Sequence, residues 1–258
     1  MPDNMILSAP GEPYEHHIRL CIDTWNLLRD RLSPSLSRLF DVGSSTIGRS
    51  IEFAIFCHDI GKLSQPWQNY INKTDSERKF GPPHATLGAA FLLTSEDDTA
   101  DDLNNASAIA ILMHHTDSGL AQGNLERPAE DAINRGIVEY GTDNIRWVQG
   151  AEEALAQTYK YLVHSDGMLM PITGVTLTSL EKMAQQLRLW SRCPNELERH
   201  QHRLQALAIH QVLKVCDWRA ASQRPSLETD EEGETVEKEK RDWQQSILRT
   251  YLDGGLLP

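Results

Sequence analysis

A chain of 258 residues with 40% hydrophobic and 24% charged residues is ample for one globular domain with its own core. Thirty-seven acids against 25 bases give a formal net charge of −12, an average that argues against a nucleic-acid binder, whose footprint is usually basic. No apolar run approaches the ~18 residues of a membrane span, and the N-terminus MPDNMILSAPGEP lacks a basic region followed by an apolar core. Cys21, Cys57, Cys193 and Cys216 form no C-x-x-C pair, so reduced thiols in a cytoplasmic protein without membrane contact are expected.

Helical periodicity runs through nearly the whole chain. Residues 17–28 place Ile18, Cys21, Ile22, Trp25 and Leu28 on one face, and Pro34 is expected to end that region. Residues 47–58 follow, with Ile51, Ala54 and Ile55 at i, i+3, i+4. Pro82-Pro83 interrupts the chain before a small and apolar run, 85–93. Further helices are expected over 103–114, 145–163, 177–190 and 196–221. Strand alternation is scarce; residues 168–175 are the one candidate for a short hairpin. Two segments are polar and acidic. Residues 96–102 (EDDTADD) hold five acids and read as an exposed loop. Residues 228–240 (ETDEEGETVEKEK) hold seven acids and two bases and read as a solvated linker. The expected layout is therefore a domain over 1–226, an acidic linker over 227–241 and a C-terminal helix over 242–258, carrying Trp243, Ile247, Leu248 and Tyr251.

Ten histidines punctuate this pattern. His58-Asp59 precedes Ile60-Gly61-Lys62, His114-His115 ends an apolar helix, and His84 opens one. Imidazole beside carboxylate suits a borderline divalent ion such as manganese, iron, cobalt, nickel or zinc, and a carboxylate can bridge two ions through its two oxygens. Gly61 is expected to end its helix. Lys62, three residues after Asp59, can lean toward the same site and hold a phosphate oxygen or a water. Each piece alone is common by chance. Their joint order carries the weight: His17, then His58-Asp59-x-Gly-Lys62, then His84, then His114-His115, then Asp217.

On those residues the chain resembles the HD superfamily of metal-dependent phosphohydrolases. More narrowly, it resembles the HD nuclease of type I CRISPR interference. The matching stretches are EHHIRLCIDTW, FAIFCHDIGKLSQPWQNYI, PPHATLGAAFLL, AIAILMHH and VCDWRAAS, spanning about residues 14–222. The resemblance implies an all-α fold, an HD-domain helical bundle with a metal site in its centre. It further implies two divalent transition-metal ions, manganese, nickel, cobalt or iron, with zinc or magnesium as other choices. His17, His58, Asp59 and Asp217 would hold the first ion, and Asp59 would bridge to a second held by His84, His114 and His115. Asp59 and Lys62 would carry the catalysis, Lys62 facing the scissile phosphate. His16 competes with His17; the register favours His17, since Ile18, Cys21, Ile22 and Trp25 then follow at +1, +4, +5 and +8, as in the family's first helix. The serine commonly four residues after the last aspartate stands here at Ser222, five residues on. The 102 residues from His115 to Asp217 imply inserted helices around 120–165.

The implied reaction is hydrolysis of single-stranded DNA, by internal cuts and trimming, through two-metal activation of water. The implied partners are a CRISPR helicase subunit or domain and an RNA-guided surveillance complex. No G-x-x-x-x-G-K-[ST] loop occurs, so no use of ATP is expected. One rival reading is an HD phosphohydrolase of nucleotides or cyclic dinucleotides, but TDSGLAQGNLERP after His115 lacks the Gly-Tyr-Pro motif of the cyclic-dinucleotide enzymes. Another is a non-catalytic module with a structural metal, against which the full ligand set argues. His164, His200, His202 and His210 read as turn, surface or packed histidines. Trp67, Trp147, Trp190 and Trp218 read as core anchors, with base stacking a further use for Trp67.

The charge average also changes meaning. The two acidic runs contribute −5 each, leaving −2 for the rest of the chain. A weak grip on DNA is expected, with bound metals as the main local positive charge.

Overall fold

The structure, a computed structural model, describes residues 5–78, 81–95, 102–115, 126–141, 145–163 and 169–223. Its helices are α1 (Tyr14–Phe40), α2 (Ser44–Cys57), α3 (Gln65–Ile71), α4 (His84–Ser95), α5 (Asp102–Met113), α6 (Glu126–Tyr140), α7 (Ala151–Tyr159), α8 (Leu177–Ser191) and α9 (Glu196–Ser222). The expected all-α bundle is what forms.

The sequence explains the layering. In α4 every residue from His84 to Leu93 is buried, and in α5 every residue from Leu103 to Met113. A helix that is apolar all round must sit inside the fold. Around α5 pack α9, α4 and α2, and α1 lies against both α2 and α9. The outer helices are one-sided: α1 buries Ile18, Cys21, Ile22, Trp25 and Leu28 and leaves Asp23, Asn26 and Asp30 in solvent. Among the described residues no helix is long and apolar enough to cross a membrane.

Several expectations are corrected. Pro34 does not end α1, which runs on to Phe40. Pro34 faces solvent, so water can serve the Asp30 carbonyl it deprives of a partner, while Ser33, Leu36 and Phe40 stay buried on the opposite side. The helix expected over 145–163 is shorter, because Gly150 takes a left-handed turn (φ 85°) and α7 starts after it. Of the hairpin expected over 168–175, the described part is a 3-10 turn, Ile172–Gly174, with Ile172 in the core. Pro171 has no N–H for a ladder, and its carbonyl instead accepts from Gly174 N at 2.8 Å. The strand pair that does form is Leu7–Ala9 with Glu12–Pro13, antiparallel around Gly11 at φ 73°. Residues 96–101, the acidic linker and the C-terminal helix lie outside the described residues. The inserted helices are α6 and α7.

Candidate metal centre

Five elements converge on one buried point. His17 comes from α1, and His58 and Asp59 follow the last turn of α2. His84 is the first residue of α4, His114 and His115 follow α5, and Asp217 lies in the last turns of α9. His17, His58, Asp59, His84 and His114 are all at most 5% exposed. Together they form two groups of potential donors, one of His17, Cys21, His58 and Asp217, the other of Asp59, His84, His114 and His115. His16 lies outside both, its Nδ1 3.2 Å from Arg19 Nη2 near the surface.

Asp59 joins the groups. Its Oδ2 lies 3.3 Å from His17 Nε2 and 3.5 Å from His58 Nε2, while its Oδ1 lies 3.4 Å from His84 Nε2 and 3.7 Å from His114 Nε2. Asp217 Oδ1 is 3.2 Å from His17 Nε2, and His84 Nε2 meets His115 Nε2 at 2.8 Å. Donors bound to a common ion at ~2.0–2.2 Å stand about 3–4 Å apart, which is the spacing found here.

The ring orientations are set by the backbone. His58 donates Nδ1–H to the Ile55 carbonyl (2.5 Å) and His114 donates Nδ1–H to the Ile111 carbonyl (2.6 Å). Each bond fixes the tautomer and turns an Nε2 lone pair inward. His58 Nε2, His114 Nε2 and Asp59 Oδ1 are buried without a hydrogen-bond partner. Such orphans are costly in a folded chain, and cations are the partners that a ring of imidazole and carboxylate lone pairs fits.

Electrostatics agree. Burial lowers His58 and His84 to about 4 and pushes His115 well down, keeping these imidazoles neutral and able to ligate. Burial alone would raise the Asp59 carboxyl, but His58, Lys62, His114 and His17 outweigh it and hold it well below the ordinary carboxylate range. Burial likewise opposes ionisation of Asp217, and His17 overrides it. Burial would lower His17; the Asp217 and Asp59 carboxylates beside it prevail and raise it well above its ordinary value. The carboxylates thus keep a proton on His17, one that metal binding must release.

Three features escape sequence reasoning. The first is Glu12, from the strand pair. It is buried, takes a hydrogen bond from Ser8 Oγ (2.8 Å) and accepts Nδ1–H of His17 at 3.0 Å, the arrangement by which a carboxylate fixes the ring of a histidine that could ligate a metal. The second is Cys21, one helical turn from His17 and 3.7 Å from its Nε2; burial raises its thiol, which stays protonated. The i, i+4 spacing carried that signal. The third is Gly61. The helix ends before it, at Cys57, and Gly61 lies in a 3-10 turn, Ile60–Leu63. Its role is close approach: a Cβ there would stand 2.1 Å from the His84 carbonyl oxygen.

Lys62 is buried, with Nζ 2.6 Å from Asp59 Oδ2 and 5.3 Å from the Trp67 ring centre. Trp67 packs on His84 (4.4 Å between ring centres). Gln68 donates to the carbonyls of Lys62 (2.8 Å) and Leu7 (2.7 Å), which ties the strand pair to the turn. Away from the centre, His202 is buried and stacks on Trp190 (4.2 Å), although its polar helix had suggested the surface; His210, packed as expected, donates Nε2–H to the Met113 carbonyl (3.0 Å). Ser222 donates to the Arg219 carbonyl (2.8 Å).

A helical bundle closed over two histidine–aspartate groups that share one carboxylate defines the HD class of metal-binding helical domains. The family described as "Cas3, HD domain" matches residues 16–225, and the chain belongs to it. The CRISPR-associated endonuclease Cas3-HD of Pyrococcus furiosus is 21% identical over 226 residues, covering 83% of this chain and 90% of its own length. The CRISPR-associated Cas3 HD domain protein of Methanocaldococcus jannaschii superposes with a TM-score of 0.59 at 14% identity, over 81% of this chain and 98% of that one. At that identity the superposition speaks for the fold alone.

Proposed function

We propose that the chain cuts single-stranded DNA in CRISPR antiviral defence, using two divalent ions, one per donor group. As a member of the Cas3 HD domain family it is a metal-dependent nuclease of the CRISPR type; the strand, the ion count and the partners are our reading. The observation that carries it is Asp59, which directs one oxygen to each group. Residues 1–226 form the nuclease domain in this reading. A CRISPR helicase and an RNA-guided surveillance complex deliver the strand.

His17, His58 and Asp217 would hold one ion, His84, His114 and His115 the other, with Asp59 between them. When bound, such ions supply Lewis acidity for water and phosphate oxygen. The chain does the rest. Hydrogen bonds from His58 and His114 to backbone carbonyls hold their rings in place before substrate arrives. The burial of Asp59 keeps bulk water from its carboxylate. Lys62 is the cation beside Asp59 and holds a non-bridging phosphate oxygen. Covalent catalysis has no candidate in the centre, because burial keeps Cys21 a thiol.

The test loads the full chain with manganese, nickel or cobalt and offers single-stranded DNA, cyclic dinucleotides and mononucleotides. Wild type should cut DNA. Asp59→Ala should lose activity by more than the roughly 10–100-fold that removal of an outer hydrogen bond costs, and lose bound metal while keeping its helical content. Wild-type cleavage by Asp59→Ala, or a preference for cyclic dinucleotides, would refute the reading.

A further inference from the structure

Pro82 and Pro83, just before His84, form one wall of a groove of about 690 Å³. Residues 65–73 form another wall and α6 the third, with Arg146 also in the lining. The size falls in the ~300–1,000 Å³ range of ligand pockets. Among the described residues its charged side chains are Lys73, Arg135, Arg146 and Glu139, three cations against one carboxylate. In a chain of net charge −12 that local excess is the reverse of the average, and it lies next to a proposed metal ligand.

The walls are braced. Gln65 N donates to the Arg146 carbonyl (2.8 Å), and Val148 N donates to the Leu63 carbonyl (3.0 Å). Ser64 and Trp147 pair between them as an antiparallel bridge. Arg146 is thereby anchored alongside the segment that follows Lys62. Arg135 donates to the Gly81 carbonyl (2.9 Å), which ties α6 to the opposite wall. Gly81 lies against the rings of Tyr70 and Trp67, where a Cβ would come within 3.2 and 3.3 Å. Tyr70 packs on Trp67 (5.5 Å between centres), and Trp67 on His84 (4.4 Å). An aromatic path therefore joins the groove to the centre.

We propose that this groove seats the single strand next to the phosphate being cut, with Lys73 and Arg146 on neighbouring phosphates and Tyr70 against a base. Cations along a groove with an aromatic platform are what unpaired nucleic acid requires. The proposal rests on the nuclease reading above and names the path of its substrate.

The test compares the full chain, Lys73→Ala/Arg146→Ala, its charge-reversed form Lys73→Glu/Arg146→Glu, and Tyr70→Ala. Substrates are single-stranded DNA and bis(p-nitrophenyl) phosphate, a diester too small to reach the groove from the centre. Metal content and thermal midpoint are measured beside activity. For the double alanine variant, the slope of log(kcat/KM) for DNA against log[salt] should shrink by about 0.7 per lost phosphate contact, about 1.4 in all. DNA cleavage should fall relative to diester cleavage, further for the charge-reversed form, with metal content as in wild type. Tyr70→Ala should raise KM for DNA by at least about fivefold. DNA cleavage with an unaltered salt slope in both double variants overturns the proposal. So does an equal fall on both substrates with loss of metal, which would make these residues supports of the centre. Wild type that cleaves the diester but no DNA overturns the nuclease reading and the proposal with it.

Discussion

Gly61→Ala separates close packing from helix termination as the reason for the glycine. The added Cβ would stand 2.1 Å from the His84 carbonyl oxygen, 2.6 Å from its Cα and 2.7 Å from its carbonyl carbon. All three are backbone atoms, so no side chain can swing away. To reach even 3.0 Å the turn and the start of α4 must part by about 0.9 Å, several times the ~0.2 Å tolerance of a metal–ligand bond. His84 rides on that backbone. Overpacking of this kind costs about 1–3 kcal/mol, a fall in melting temperature of roughly 2–12 °C for a domain this size. Elemental analysis after metal loading should show less bound metal, in the two-ion reading the ion of the His84 group, and calorimetry the lower midpoint. Gly48→Ala is the control: its Cβ meets only the flexible Arg29 side chain, at 3.3 Å, inside α2, where alanine is the better helix former. Wild-type metal stoichiometry and midpoint in Gly61→Ala would refute the packing argument.

The remaining predictions concern neighbouring groups. Glu12→Ala should weaken metal binding roughly 10–100-fold in chelator competition, with partial recovery in Glu12→Gln, which keeps an acceptor oxygen for His17; equal affinity in all three would remove Glu12 from the centre. His17→Ala should lose metal and His16→Ala should keep it, as measured by metal content per chain; the opposite outcome would reassign the ligand. Burial lowers His210 to about 4, below the ~6.5 of an unfolded histidine. Its neutral form is thus at full advantage above pH ~6.5, and the advantage is lost as pH falls toward 4 because the unfolded chain takes up the proton first. His210→Gln should therefore lose less stability than wild type between pH 7 and 4.5 in denaturant titrations, by up to about 3 kcal/mol; parallel losses would contradict this.

The candidate donors were legible through the family resemblance, carried by the joint order of histidines and aspartates, and the structure gathers those same residues at one buried point. The choice of His17 over His16 followed from the register of the apolar stripe of α1 against the family's first helix, and the structure buries His17 while leaving His16 half-buried. Glu12 was hidden, since a two-residue strand has no periodicity to read and its partner is fixed only by the fold. Gly61 looked like a helix terminator because sequence shows the residue but not the backbone that crosses it. Pro34 misled because its cost depends on which face meets water. The groove was invisible for the same reason the net charge misled: Lys73, Arg135 and Arg146 are scattered in sequence and gather only where three separate stretches of the folded chain line one groove.

The order in which the donors leave the ribosome follows from their places in the chain. The His84 group needs nothing beyond His115, whereas the His17 group waits for Asp217, 102 residues later. At ~5–20 residues per second that is a delay of roughly 5–20 s. The donors of one group are thus all synthesised long before those of the other, and because α5 packs on α9, in the two-ion reading hydrolytic power arises only once α9 has closed over α1 and α5. In that same reading the emerging nuclease passes through an interval in which it holds part of its donors but cannot yet cut.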